Sequence, residues 1–435
     1  MIWSILCVFE TTSGLGHMRR SACIANYLVE KGARVRVASG TFMDKENFFH
    51  PEIDFVELPA HRIWSSKDGK WFHYEANGRK IEDTNFDENK WKKKREKIFR
   101  RALKQEPIHA MVVEFWPFSR RREFTSAVNI VLSQKSLPYR PLIFSSARDI
   151  LDTSNSMKKT ANQVAKDQRK SVKMIRDSVD KVLVHADPAL VSFAEGFAYW
   201  RKIEKKAIYT GYVVTDNARE KMGDERDIRM VVVSTGSGST GLDLIKAAAK
   251  ARRFSTLRDH NWTYILGPRM EKSHKIQALR EIARFGNGSQ VGSTAVYNHR
   301  ADLPQILRRA SLSISLAGYN TTLEVLASGV PAILVPKFKV RTVGKPWADA
   351  EQKGRLHKIN AKHLATFVYP STAIKPRSFA AKIDRAHRER VNRATLNFEG
   401  ARNSAEIVLG QVKERFGDQH IHDFAAEEEL KYLYS

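Results

Sequence analysis

The sequence predicts an α/β protein of two halves, each built around a parallel sheet. Three observations predict it. Short apolar β-type runs alternate with helical stretches through most of the chain. Each half opens with a strand that ends in a glycine turn and runs into a helix, at Gly14-Leu15-Gly16 and again from Gly236 to Gly241. The length of 435 residues exceeds one ordinary core and fits two domains of roughly 200 residues each.

The elements follow in order. Residues 2–9 form a buried strand, and a helix through Ala22, Ala25, Leu28 and Val29 stops at Gly32. Residues 34–38 and 55–58 are the next strands. Residues 61–105 are a long excursion rich in aromatic and basic side chains, helical over 89–104. This is more than a normal connection and reads as an acceptor-binding or membrane-facing insertion or as plain surface elaboration. Strands at 110–114, 142–145, 181–185 and 208–212, with a helix over 160–177, complete a first domain, 1–215. The charged stretch 216–227 is the linker. A second series, 228–393, carries strands at 230–234, 262–266, 290–297, 312–316, 331–335 and 367–368. Residues 394–435 are helical and expected to pack back on the first domain.

Composition bounds the function. The net charge of +26 predicts attraction to something anionic, such as nucleic acid, an acidic membrane surface or a polyanionic substrate. No standard nucleic-acid-binding motif accompanies the charge, so a nucleic-acid partner is not expected. No apolar run reaches the ~18 residues of a membrane-spanning helix, and the apolar start reads as a strand, not a leader peptide. Cys7 and Cys23 are the two cysteines. They fit a reducing cytosol, and no Cys/His spacing suggests zinc.

The chemistry concentrates at two turns. Ser315 to Pro331 reads as strand, small-residue turn, helix and strand again, with the turn at the carboxyl end of its strand. The helix start at Gly318, Tyr319, Asn320, Thr321 and Thr322 suits a phosphate. Glu324, one turn in, could accept hydrogen bonds from a ribose diol. The Gly/Ser turn Thr235, Gly236, Ser237, Gly238, Ser239 can wrap a phosphate with backbone N–H groups. In the first half, the third glycine of the dinucleotide fingerprint is missing, which argues against a nicotinamide or flavin cofactor. His17 stands there instead, where a general base could reach the cleft. Glu114 ends a strand before Phe115-Trp116-Pro117, and Asp149 follows another strand.

Together these residues resemble GT-B glycosyltransferases, whose fold is two Rossmann-like domains across a cleft. The late Ala-Gly-Tyr-Asn-Thr-x-x-Glu segment with its Gly-x-Pro, and the Gly/Ser turn, are similar to the C-terminal domain of the bacterial lipid-linked N-acetylglucosaminyl transferase of peptidoglycan synthesis and of galactolipid synthases. The whole chain resembles a bacterial family known as predicted glycosyltransferases. Its pieces here are Gly14-Leu15-Gly16-His17-Met18-Arg19-Arg20, Glu114-Phe115-Trp116-Pro117-Phe118, Ser146-Ala147-Arg148-Asp149, Val184-His185-Ala186-Asp187-Pro188, Tyr209-Thr210-Gly211-Tyr212 and Glu351-Gln352-x-x-Arg355. The resemblance implies a nucleotide-sugar donor, UDP-type, held by the second half. Glu324 would bind ribose, and the turns at 235–239 and 318–322 the diphosphate. Glu351 and Gln352 would read the donor sugar, and His17 with the backbone of Gly14 and Gly16 would face the reaction centre. It implies inversion and neither metal nor cofactor besides the nucleotide-sugar co-substrate.

The expected reaction is sugar transfer to a hydroxyl of a glycan, a lipid or a polyanionic polymer. The expected location is cytoplasmic, at the inner face of a membrane whose anionic lipids attract the basic clusters. His17, Glu114 and Asp149 are, in that order, the candidate bases. A nucleotide-sugar hydrolase, an epimerase, and a basic nucleic-acid-binding or scaffold protein on a degenerate fold of this type are the alternatives.

Overall fold

The computed structural model describes residues 2–10, 15–42, 45–65, 69–76, 79–118, 122–133, 139–150, 160–219, 227–236, 240–286, 292–337, 350–389 and 396–433, with backbone alone over 418–433. The first half contains β1 (Ser4–Val8), α1 (Gly16–Glu30), β2 (Arg34–Ser39), β3 (Asp54–Glu57), β4 (Ile63–Ser65), β5 (Lys70–Tyr74), β6 (Lys80–Asp83), α2 (Glu88–Gln105), β7 (Ala110–Glu114), α3 (Arg122–Leu132), β8 (Leu142–Arg148), α4 (Ala161–Ser178), β9 (Lys181–His185), β10 (Ala207–Tyr209) and the single turn α5 (Asp216–Arg219). The second contains β11 (Asp227–Ser234), α6 (Leu242–Arg252), β12 (Asn261–Ile265), α7 (Lys272–Gly286), β13 (Thr294–Tyr297), α8 (Leu303–Arg309), β14 (Ala310–Leu316), α9 (Tyr319–Ser328), β15 (Ala332–Val335), α10 (Ala350–Ala361), β16 (Thr366–Phe367), α11 (Pro370–Ala373) and α12 (Pro376–Arg388). The chain closes on α13 (Gly400–Leu433).

Two parallel sheets carry the halves, in the orders β10-β9-β8-β7-β1-β2-β3 and β13-β12-β11-β14-β15-β16. Helices on both faces bury the inner strands β1, β7 and β14 completely, which is why these read as mostly apolar or small-residue runs. In each sheet the chain moves outward from the first strand, then returns to its other side. The reversals fall between β1 and β7 and between β11 and β14. Such switch points open a crevice at the carboxyl ends of the strands. The turns singled out from sequence follow β1 and β7 in one half and β11 and β14 in the other.

The excursion over 61–105 is more ordered than a helix with a polar lead-in. Its first part is a three-stranded antiparallel sheet, β4-β5-β6. Strands of three to five residues offer too few alternations to be read as a period. The helix, α2, starts where Asp87 accepts the Lys90 N–H at 2.9 Å. In the stretch taken as linker, residues 216–219 form the turn α5, held by the Tyr27 hydroxyl on Asp216 at 2.5 Å. Residues 220–226 lie outside the described residues. The last helix crosses back: Ala401, Ala405, Val408, Val412 and Phe416 join the core around α1 and β1. Gly211 makes that return path. It sits at φ 85°, and a Cβ there would lie 2.4 Å from the Asn397 side chain.

Candidate functional site

Because β1 and β7 are neighbours, with Val8 opposite Val113, the turn after β1 lies beside the end of β7. His17, on the first turn of α1, meets Glu114, the last residue of β7. Nδ1 of His17 lies 2.7 Å from Oε1 of Glu114. Arg20, one turn further along α1, pairs with the same carboxylate. The Glu114 side chain is 3% exposed and that of His17 26%. Immediately after Glu114, Phe115 takes φ 54° and donates its N–H to the Ser146 carbonyl at 2.7 Å. A bulky residue in the left-handed region costs about 1–2 kcal/mol, and such strain collects at functional sites.

The other wall is α9. Gly318 caps it in extended conformation without a side-chain cap, so the first N–H groups of the helix have no acceptor from the cap residue. Gly236, at φ 70°, comes so near that a Cβ would lie 2.9 Å from Oγ1 of Thr321. The two turns taken from sequence as one diphosphate cradle are therefore adjacent. Thr322 Oγ1 is buried and has no hydrogen-bond partner among the described residues. Gly14, Ser237, Gly238 and Ser239 lie outside the described residues, as does the side chain of Glu351.

The two walls touch. Asn320 Nδ2 donates to the Gly16 carbonyl at 3.4 Å, and Arg19 binds Glu324 at 2.7 Å. Tyr319 donates its hydroxyl to the His185 carbonyl at 3.2 Å. Its ring lies under three guanidinium groups, Arg355 at 4.9 Å and Arg20 and Arg148 at 5.8 Å each. Burial, and then the nearby Asp149 charge, push its phenol above the ordinary range. Beneath it, His185 bridges Ser146 at 2.7 Å and Thr210 at 2.9 Å. Burial, with the charge of Arg20, holds that imidazole neutral, well below its usual value.

Two expectations meet a different geometry. Asp149 takes a two-pronged hydrogen bond from Arg355 of α10, at 2.8 and 2.9 Å, with both side chains buried. The partner is not the adjacent Arg148, whose guanidinium lies 4.9 Å from the Phe115 ring centre. Gln352, expected on the donor sugar, is buried and accepts the Lys337 N–H at 3.1 Å, steadying the chain after β15. Arg19, Arg20 and Arg355 had no role assigned from sequence. Arginines on a helix facing solvent and arginines facing a second domain look alike in one dimension.

Residues 230–406 match the family described as "Glycosyltransferase family 28 C-terminal domain". The second half of the chain is therefore similar to that domain. A curated relative from Paramagnetospirillum magneticum, a UDP-N-acetylglucosamine--N-acetylmuramyl-(pentapeptide) pyrophosphoryl-undecaprenol N-acetylglucosamine transferase, is 30% identical over 252 residues. That alignment covers 54% of this chain and 62% of the relative, so the chain spans about three fifths of the relative's length. Among solved structures, the calicheamicin glycosyltransferase CalG4 aligns at TM-score 0.60 and 15% identity, over 96% of this chain and 99% of its own. A Listeria monocytogenes protein described as a UDP-N-acetylglucosamine 2-epimerase aligns at 0.57 and 12%, over 96% and 98%. These likenesses establish the GT-B fold of two Rossmann-like halves. Among the described residues no helix is long and apolar enough to cross a membrane.

Proposed function

We propose that the protein is a glycosyltransferase that moves a sugar from a UDP-type donor to an acceptor hydroxyl in the cleft between its halves. The observation that carries this is the His17–Glu114 pair at one switch point, set against the start of α9 at the other. Glu114 accepts Nδ1–H of His17, which fixes the tautomer and leaves Nε2 as the basic nitrogen. Nε2 takes the acceptor proton as the hydroxyl attacks the anomeric carbon, and the imidazolium formed is stabilised by Glu114. The leaving diphosphate is received by backbone N–H groups of α9 and of the turn at Thr235-Gly236, with Thr321 and Thr322 beside them. Glu324 holds the ribose diol in place of its present bond to Arg19. Asp149 and Arg355 brace the two halves and take no proton. The Paramagnetospirillum magneticum relative, named as a UDP-N-acetylglucosamine-dependent transferase acting on a pyrophosphoryl-undecaprenol acceptor, supports a nucleotide-sugar donor and a lipid-linked acceptor.

The epimerase likeness keeps a second reading in view, in which no acceptor is used. Incubation of the pure protein with a panel of UDP-sugars separates the two. Diphosphate release only with added acceptor supports transfer. Release in water, or conversion to an isomeric nucleotide sugar, refutes it. Glu324→Ala should weaken UDP binding about 10–100-fold, the loss of hydrogen bonds to a charged group. Unchanged affinity removes Glu324 from the donor site.

A further inference from the structure

The small β4-β5-β6 sheet and α2 roof a cavity of about 770 Å³ over the edge of the first parallel sheet. That is the size of sites that enclose organic ligands, roughly 300–1,000 Å³. Its wall is a chain of rings: Trp64 to Trp71 at 5.3 Å, Trp71 to Phe86 at 5.0 Å, Phe86 to Trp91 at 5.9 Å. Trp64, part of the lining, is 51% exposed. Val8 and Leu58 of the parallel sheet form part of its floor. Val8 lies opposite Val113, the residue before Glu114. Cavity and His17–Glu114 pair thus lie toward the carboxyl ends of the same two strands, on opposite faces of the sheet.

The charges decide the occupant. The chain carries +26 overall, yet the lining sets Arg62, Lys92 and Arg95 against Glu88, Glu96 and Glu123. Most of these are already fixed. Arg62 pairs with Asp83 at 2.8 Å, Arg95 with Glu10, His61 with Glu123, and Glu96 accepts the Ser126 hydroxyl at 2.6 Å. A balanced lining gives no net pull on a phosphate or a polyanion. The aliphatic lining is Val8, Leu58, Ala127 and Ile130, against six Trp and Phe rings, so an alkyl chain would lie mainly on rings and among fixed charges. A pyranose matches both parts of the wall. Its C–H face packs on an indole, and its equatorial hydroxyls suit planar, pre-positioned groups such as guanidinium, carboxylate and the Asn89 amide.

We propose that this cavity is a subsite for neutral pyranose rings of a glycan acceptor, an assignment that rests on the transferase reading above. The test is calorimetric titration of the full chain, without donor, against neutral tetrasaccharides of glucose, galactose, mannose and N-acetylglucosamine, with decanol as the aliphatic probe. At least one tetrasaccharide should bind, and Trp71→Ala and Trp64→Ala should each weaken it about tenfold, the worth of one ring contact. Trp71→Phe should restore most of the affinity. UDP affinity, measured on the same variants, should stay unchanged. Failure of every tetrasaccharide to bind, binding indifferent to both tryptophans, or decanol binding more tightly than any sugar would each overturn the proposal. Failure of wild-type protein to bind UDP would instead strike the transferase reading itself.

Discussion

Arg355→Met tests whether the two halves are locked by charge. Arg355 and Asp149 are 206 residues apart in sequence and joined by two hydrogen bonds of 2.8 and 2.9 Å. Their side chains are 2% and 0% exposed. Removing the guanidinium leaves a buried carboxylate without its cation, a loss that typically costs about 3–5 kcal/mol. Tyr319 also loses the guanidinium 4.9 Å above its ring. For domains of this size about 1 kcal/mol shifts the midpoint by roughly 2–4 °C, so the variant should unfold about 6–20 °C lower. The double variant Asp149→Leu/Arg355→Met removes both charges and should recover most of that loss, because the pair itself had to be desolvated. Scanning calorimetry on wild type, both single variants and the double variant gives the cycle. A shift below 2 °C for Arg355→Met, or a double variant no better than the sum of the singles, refutes the lock.

Three further outcomes follow from the geometry. Glu114→Gln should cut turnover about 10²–10⁴-fold, the usual worth of general-base assistance, with UDP affinity unchanged in a binding titration. Gly211→Ala should destabilise by at least about 1–2 kcal/mol in urea unfolding, since Gly211 sits at φ 85° and its Cβ would strike Asn397. The third concerns acid. Burial alone would raise the Glu123 carboxyl, but the hydrogen bond and charge of His61, with Arg95, outweigh it and bring it down to about 2 from 4.5. A depressed carboxyl stabilises the fold fully above about pH 4.5 and loses that contribution as pH falls toward about 2. The span is roughly 3 kcal/mol. Glu123→Gln should flatten the stability profile between those limits, as followed by urea midpoints at each pH.

What could be read from one dimension follows from the range of the interactions involved. Strands β7 and β9 have the same limits in sequence and structure, because their apolar runs are local signals. The turns at His17, Thr235 and Gly318 were legible because small residues between a buried strand and a helix have few other uses. The antiparallel β4-β5-β6 sheet was not, because its strands are short and hold their register through Trp64, Trp71 and Phe72 packing across strands. The contacts between the halves were least legible. Arg19, Asn320, Tyr319 and Arg355 each find a partner more than 100 residues away, and no spacing rule reaches that far.

Those distant contacts change what the candidate bases can do. Glu114 ends β7 and Asp149 follows β8 of the same sheet, and the sequence ranked them second and third among the candidate bases. Folding gives Glu114 a partly exposed histidine as well as the buried Arg20, both on one oxygen, and gives Asp149 a buried arginine on both oxygens. A carboxylate gripped at both oxygens by a buried guanidinium is a poor proton acceptor, since protonation would break the pair. A carboxylate bound to an imidazole can pass its basicity outward. The physical reason for setting Glu114 ahead of Asp149 therefore lies in which strand neighbours meet at the switch point, a property of strand order that the residues near each turn do not encode.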